Sequence, residues 1–181
     1  MAKTKLSAAG YVERGYAQVE PNHLSAQRTG QIYAQLPLAD DLQIENGQFV
    51  KYDYAAKENG AKGEVNLTGA GEWMLVFNEV KVYGDRETAE DFVMSSKKND
   101  KGEVVSTAAF GNPVPRVFKT NVGDIMTTNA IAAEPTEGAT LIVGEDGFLK
   151  AGTHETDMVW QVAKVYTLAD GQPAAKIVRI Q

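Results

Sequence analysis

The side chains able to do chemistry are few and scattered. The chain holds two histidines, His23 in "EPNHLS" and His154 in "GTHETD". A metal site could draw on His154 with Glu155 and Asp157. Metal ligands, however, normally converge from separate elements, each oriented by a further hydrogen bond. Three polar neighbours on one loop read better as a solvated turn, so no metal is expected. Nucleophilic catalysis needs a base beside the nucleophile. With the two histidines in separate regions, a Ser–His–Asp set is not supported. There is no cysteine, which excludes disulfides, thiolate nucleophiles and thiolate metal sites. "TGAGEW" (68–73) and "GEDG" (144–147) are too short and wrongly placed to cradle phosphates. The carboxylates of "GDRETAEDF" (84–92) suit the positive end of a helix better than acid–base work. A glycosidase-type carboxylate pair could still meet in space, although no cleft is predicted. Trp73, Phe77, Trp160 and Tyr166 fall inside strand patterns and are expected in the core. A glycan platform would need exposed, coplanar rings instead. The expectation is a protein with no catalytic residue and no cofactor.

The elements that would position any such groups are mostly strands. "QFVKYDY" (48–54) alternates Val50, Tyr52 and Tyr54 against Lys51 and Asp53, the period of a half-buried strand. Asn46-Gly47 before it is a hairpin signal. "QIYAQLPL" (31–38) is a short strand closed by Pro37, and Val65–Leu67 a short strand within a polar loop. "EWMLVFNEVKVY" (72–83) is the strongest strand, apolar on both faces in its first half. "DRETAEDFVMSS" (85–96) is the one helix candidate, with Asp85 as N-cap and Ala89, Phe92 and Val93 as its apolar stripe. "PRVFKTNVGDIMTTNAI" (115–131) predicts strands bent at Val122-Gly123-Asp124. "ATLIVGEDGFLKAG" (139–152) predicts a hairpin with a type I′ turn at Asp146-Gly147, and 158–180 a second hairpin turning near Asp170-Gly171. Evenly spaced short strands of this kind build a mainly β domain, a β-barrel or β-sandwich with one short helix. Strand–helix alternation is missing, so a doubly wound fold is not expected.

Length and charge set the remaining bounds. With 181 residues and 43% hydrophobic content the chain can fill one core. Residues 1–30 differ in composition. Lys3, Lys5, Arg14 and Arg28 outweigh Glu13 and Glu20 there by +2, and since the whole chain carries −6, residues 31–181 carry −8. Gly10 and Gly15 weaken any helix by about 1 kcal/mol each. The division expected is an extended N-terminal arm over 1–30 and a β domain over 31–181. An acidic balance argues against direct nucleic-acid binding. The longest apolar runs, such as "WMLVF" (73–77), are far short of a membrane span. The first twenty residues lack the apolar stretch of a secretory signal, so synthesis and residence in the cytoplasm, or in an assembly built there, are expected.

Six segments in order then carry a resemblance. "HLSAQRTGQIYAQLP" runs into "LQIENGQFVKYDY", followed by "GEWMLVFNEVKVY", "VGDIMTTNAI", "GFLKAG" and "VWQVAKVYTLADGQPAAKIVRI". Together, over 23–180, they resemble the capsid decoration or cement (auxiliary head) proteins of tailed bacteriophages. The resemblance implies a non-enzymatic virion protein, made in the host cytoplasm, that sits on the outer capsid surface. Its partner would be the major capsid protein, and by analogy it would self-associate as a trimer. It would stabilise the assembled, expanded shell by binding that state alone. Lys3, Lys5, Tyr11, Arg14, Tyr16, His23 and Arg28 would then be the capsid-contacting side chains of the arm. Two other readings stay open: another phage structural component, such as a head-fibre base or tail protein, and a stand-alone β module for a glycan or small ligand.

Overall fold

The computed structural model describes residues 17–55, 63–78, 93–96, 113–153, 158–168 and 172–181. Among these, the chain opens with β1 (Val19–His23), a one-turn helix α1 (Ala26–Thr29) and β2 (Ile32–Tyr33). Next come β3 (Gln43–Glu45), β4 (Phe49–Asp53), β5 (Glu64–Asn66), β6 (Trp73–Val76) and β7 (Val93–Ser95). Then follow β8 (Val117–Phe118), β9 (Ile125–Thr128), β10 (Thr140–Val143), β11 (Leu149–Ala151), β12 (Val159–Thr167) and β13 (Pro173–Arg179).

The strands form three antiparallel sheets. A six-stranded sheet runs β1-β9-β13-β12-β10-β11, a five-stranded sheet β2-β8-β6-β4-β5, and β3 pairs with β7 alone. The two larger sheets pack face to face. Met126, Leu141, Leu149, Trp160 and Ile177 of the first meet Phe49, Leu75 and Phe118 of the second in one core. Period-two alternation places the next residues, Val50, Tyr52, Met74, Val76, Val117 and Val65, on the opposite face of the five-stranded sheet. There they join Leu38 and Ile44 in a second core, covered by the small sheet. Burial of the five-stranded sheet on both faces explains why β6 reads apolar at every position.

Each large sheet also curls. Ile131, just past β9, bridges Leu149 on the far-edge strand β11. Leu38, past β2, does the same to Val65 on β5. Each contact is a single parallel bridge, so the domain is mainly β and sandwich-like, without a closed barrel among the described residues.

Several expected features hold. β10 and β11 form a hairpin, β12 and β13 form another, and β13 is a central strand, so the C-terminal segment is tied into the sheet. The bend at Val122-Gly123-Asp124 separates β8 from β9, which belong to different sheets.

Other features differ. The helix expected over 85–96 is not continuous. Residues 85–92 lie outside the described residues, and Val93–Ser95 is a strand in register with Gln43–Glu45. That pairing satisfies the backbone and tucks Met94 against the second core, which outweighs a short helical stripe. The helix in the described residues is α1. The strand expected over 72–83 ends at Val76, and Asn78 donates its backbone N–H to Asn46 Oδ1 at 2.8 Å. Residues 79–83 are outside the described set.

Asn46-Gly47 makes a turn but no hairpin, because β3 pairs with β7 and β4 with β5 and β6. Gln48 N–H donates to the Glu45 carbonyl at 3.2 Å, and only Gly47 has positive φ (85°). A type I′ turn would need two such residues. Asp146-Gly147 likewise has positive φ only at Gly147. Gly147 N–H donates to the Gly144 carbonyl at 2.9 Å, closing the hairpin with a left-handed glycine after an ordinary turn.

Candidate functional site: the N-terminal clamp and the tyrosine cleft

The boundary expected at residue 30 does not match the observed packing. Residues 17–30 belong to the body. β1 pairs with β9, with an irregularity between Glu20 and His23 where Pro21 sits. Proline has no N–H to give a ladder, so it is tolerated here because β1 is an edge strand. Leu24 and Ala26 are in the main core.

Side chains far along the sequence fasten this segment. Ala17 N–H donates to Glu45 Oε2 at 2.7 Å, and Gln18 N–H to Asn129 Oδ1 at 2.7 Å. Thr128 Oγ1 donates to the Gln18 carbonyl, and Asn129 Nδ2 to Gln172 Oε1. At the other end buried Asp124 accepts from Ser25 N–H at 2.8 Å, Ser25 Oγ at 3.1 Å and Asn121 N–H at 2.8 Å. A carboxylate gathering several donors is a strong local fastener, since each bond to a charged group contributes about 1.5–3 kcal/mol. Arg179 closes the same corner. Its guanidinium donates to Thr120 carbonyl and hydroxyl oxygens. Burial pushes its pKa down, with Glu72 and Asp124 opposing, but an arginine remains charged.

Of the arm residues expected to touch a capsid, His23 lies on β1 and Arg28 on α1, both exposed. Lys3, Lys5, Tyr11, Arg14 and Tyr16 lie outside the described residues, as do His154, Glu155 and Asp157. The described chain begins at a fastened residue, Ala17, held by Glu45.

The second feature was not expected. A cleft of about 330 Å³ opens on the second-core face of the five-stranded sheet, where β4 ends and β6 begins. Tyr33, Tyr52, Asp53, Tyr54, Glu72 and Met74 line it, with Ala55, Ala70 and Gly71. Tyr52 is almost buried, and its hydroxyl accepts from Gln35 N–H at 3.2 Å. Tyr54 is 70% exposed. The rings of Tyr33 and Tyr52 are 5.7 Å apart at 68°, and those of Tyr52 and Tyr54 5.8 Å apart at 83°. Gly71 lets the chain before β6 press in, since a Cβ there would stand 2.5 Å from the Tyr52 carbonyl oxygen. Glu72 Oε1 pairs with Lys119 at 2.7 Å, and this contact raises the Lys119 pKa.

The Val50–Tyr52–Tyr54 alternation predicts the buried face of a half-buried strand, and Val50 and Tyr52 are buried. Tyr54 departs from this pattern: it lies one residue past the end of β4 and is exposed. Gln48, just before β4, is only 4% exposed. It accepts from Glu45 N–H and donates to the Asp146 carbonyl, which holds the two glycine turns together.

No family model, curated protein or solved structure matches this chain.

Proposed function

We propose that this chain is a non-enzymatic structural component of a tailed-phage virion, binding the outer capsid surface and tying neighbouring capsid subunits together. The ordered segments over 23–180 that resemble decoration proteins carry the family reading. The observation that best supports the mechanical role is the clamp at Ala17–Ser25. Buried partners on β3, β9 and the Val122 bend fasten that segment to the sandwich. Any grip made by Lys3, Lys5, Tyr11, Arg14 and Tyr16 would therefore transmit load to the whole body. Binding only the assembled lattice would stabilise it by mass action, and repeated modest contacts would add through avidity.

The test is co-sedimentation with expanded shells of the encoding phage, alongside free major capsid protein. Pelleting with shells and a raised shell melting temperature support the reading. A chain that stays in the supernatant and leaves shell melting unchanged overturns it.

A further inference from the structure

The geometry points to the tyrosine cleft as a binding site for an organic cation, an alkylammonium group held by aromatic rings and the Glu72 carboxylate. This inference is independent of the capsid reading. The cleft's volume of about 330 Å³ lies at the lower end of the range of ligand pockets, room for a compact group. Its lining includes three tyrosines and the carboxylate residue Glu72, and no basic residue among the described residues. An aromatic ring carries negative charge on its faces, so a cation beside several rings is attracted, more so beside a carboxylate.

The ring arrangement separates a cation from a sugar. A sugar stacks on a flat platform, whereas successive rings here stand at 68° and 83° and form walls at steep angles. Such a corner suits a compact, roughly spherical group. Part of the site is also held ready. Tyr52 is fixed by its bond from Gln35 N–H, and Gly71 allows the closely packed floor.

The same sheet already makes this kind of contact internally. Lys51 Nζ lies 4.4 Å from the centre of the Trp73 ring. Lys119 is the internal competitor, because it engages Glu72 at the cleft's rim. A bound cation would share Glu72 with it.

The test is a titration of the intact protein with tetramethylammonium chloride, followed by tyrosine ring signals in NMR at constant ionic strength. The neutral isostere tert-butanol and a methyl glycoside serve as comparison ligands. Saturable shifts at about millimolar concentration are expected, with tert-butanol about tenfold weaker or more. Tyr54→Ala should abolish the shifts at Tyr33 and Tyr52 without changing the melting temperature. Glu72→Gln should weaken binding several-fold, and Lys119→Met should strengthen it. The proposal is overturned if no saturable shift occurs, if tert-butanol binds equally well, or if only the glycoside binds. It is also overturned if neither the Glu72 nor the Lys119 substitution changes the affinity.

Discussion

The two cores on either side of the five-stranded sheet are built alike and finished differently. Both lie under a sheet curled by one parallel bridge. The core between the large sheets is sealed. Trp160 is fully buried at its centre, tilted against Phe49 at 5.9 Å, and its Nε1 has no hydrogen-bond partner among the described residues. An unpaired buried donor of this kind costs about 1–3 kcal/mol, so apolar packing must outweigh it. The second core is covered by a two-stranded sheet and leaves Tyr33, Tyr52 and Tyr54 beside an open cleft. The first side is buried throughout, whereas the second leaves Tyr54 exposed at its edge.

Substitutions that separate the sides should have the following effects. Phe49→Ala, on the sealed face, should cost about 3–5 kcal/mol. Val50→Ala, one residue on and facing the other core, should cost about 1–3 kcal/mol. Urea unfolding followed by both tryptophan fluorescence and a tyrosine signal checks this. Coincident transitions mean that the cores unfold as one unit, and separate midpoints would break the comparison.

The turn that joins the cores comes next. A Cβ on Gly47 would meet Thr128 Oγ1 at 2.6 Å and Ala130 Cβ at 2.8 Å, at a φ of +85°. Gly123 has a similar φ of +92° with nothing within 4 Å. Gly47→Ala should therefore cost about 2–4 kcal/mol from strain and overpacking together. Gly123→Ala should cost only about 1–2 kcal/mol, from backbone strain alone. Equal losses in thermal melts would contradict the crowded junction.

Asp124→Ala should cost about 2–3 kcal/mol, because it leaves the Ser25 and Asn121 N–H groups without their acceptor. Hydrogen exchange should rise first in 17–25. Unchanged protection there would mean that the clamp does not depend on this carboxylate.

The smallest effect belongs to the cleft rim. Lys119→Met should change stability by less than about 0.5 kcal/mol, since its ion pair with Glu72 is screened by solvent. The folded-state pKa of Lys119 is raised. Its contribution is thus full below the ordinary lysine pKa and fades as pH rises through the raised value. The wild-type and variant melting curves should converge only in strong alkali.

Strand-rich architecture was legible because alternation and turn residues are local signals. The hairpins over 139–152 and 158–180 and the strands within 48–54 and 65–67 follow from neighbours in sequence. The clamp was not legible. Its partners Glu45, Asp124 and Asn129 lie 28 to 111 positions from the groups they bind, and polar residues at 17–25 look the same whether docked or solvated. The strand at Val93–Ser95 was hidden for the same reason, since its pairing with β3 is long-range. The cleft escaped because Tyr33 and Glu72 come from β2 and the approach to β6, while "QFVKYDY" alone reads as a half-buried strand.

The clamp also locates the cut that tests the account. Removing residues 1–22 would destroy most of β1, whereas a chain of residues 17–181 keeps it. The direct measurement is the affinity of the full chain and of residues 17–181 for expanded shells of the encoding phage, with melting curves of both proteins alone. The account predicts equal melting temperatures and binding weakened at least about tenfold by the loss of one set of linked contacts. Equal affinity for the two chains, or no binding by the full chain, would contradict it.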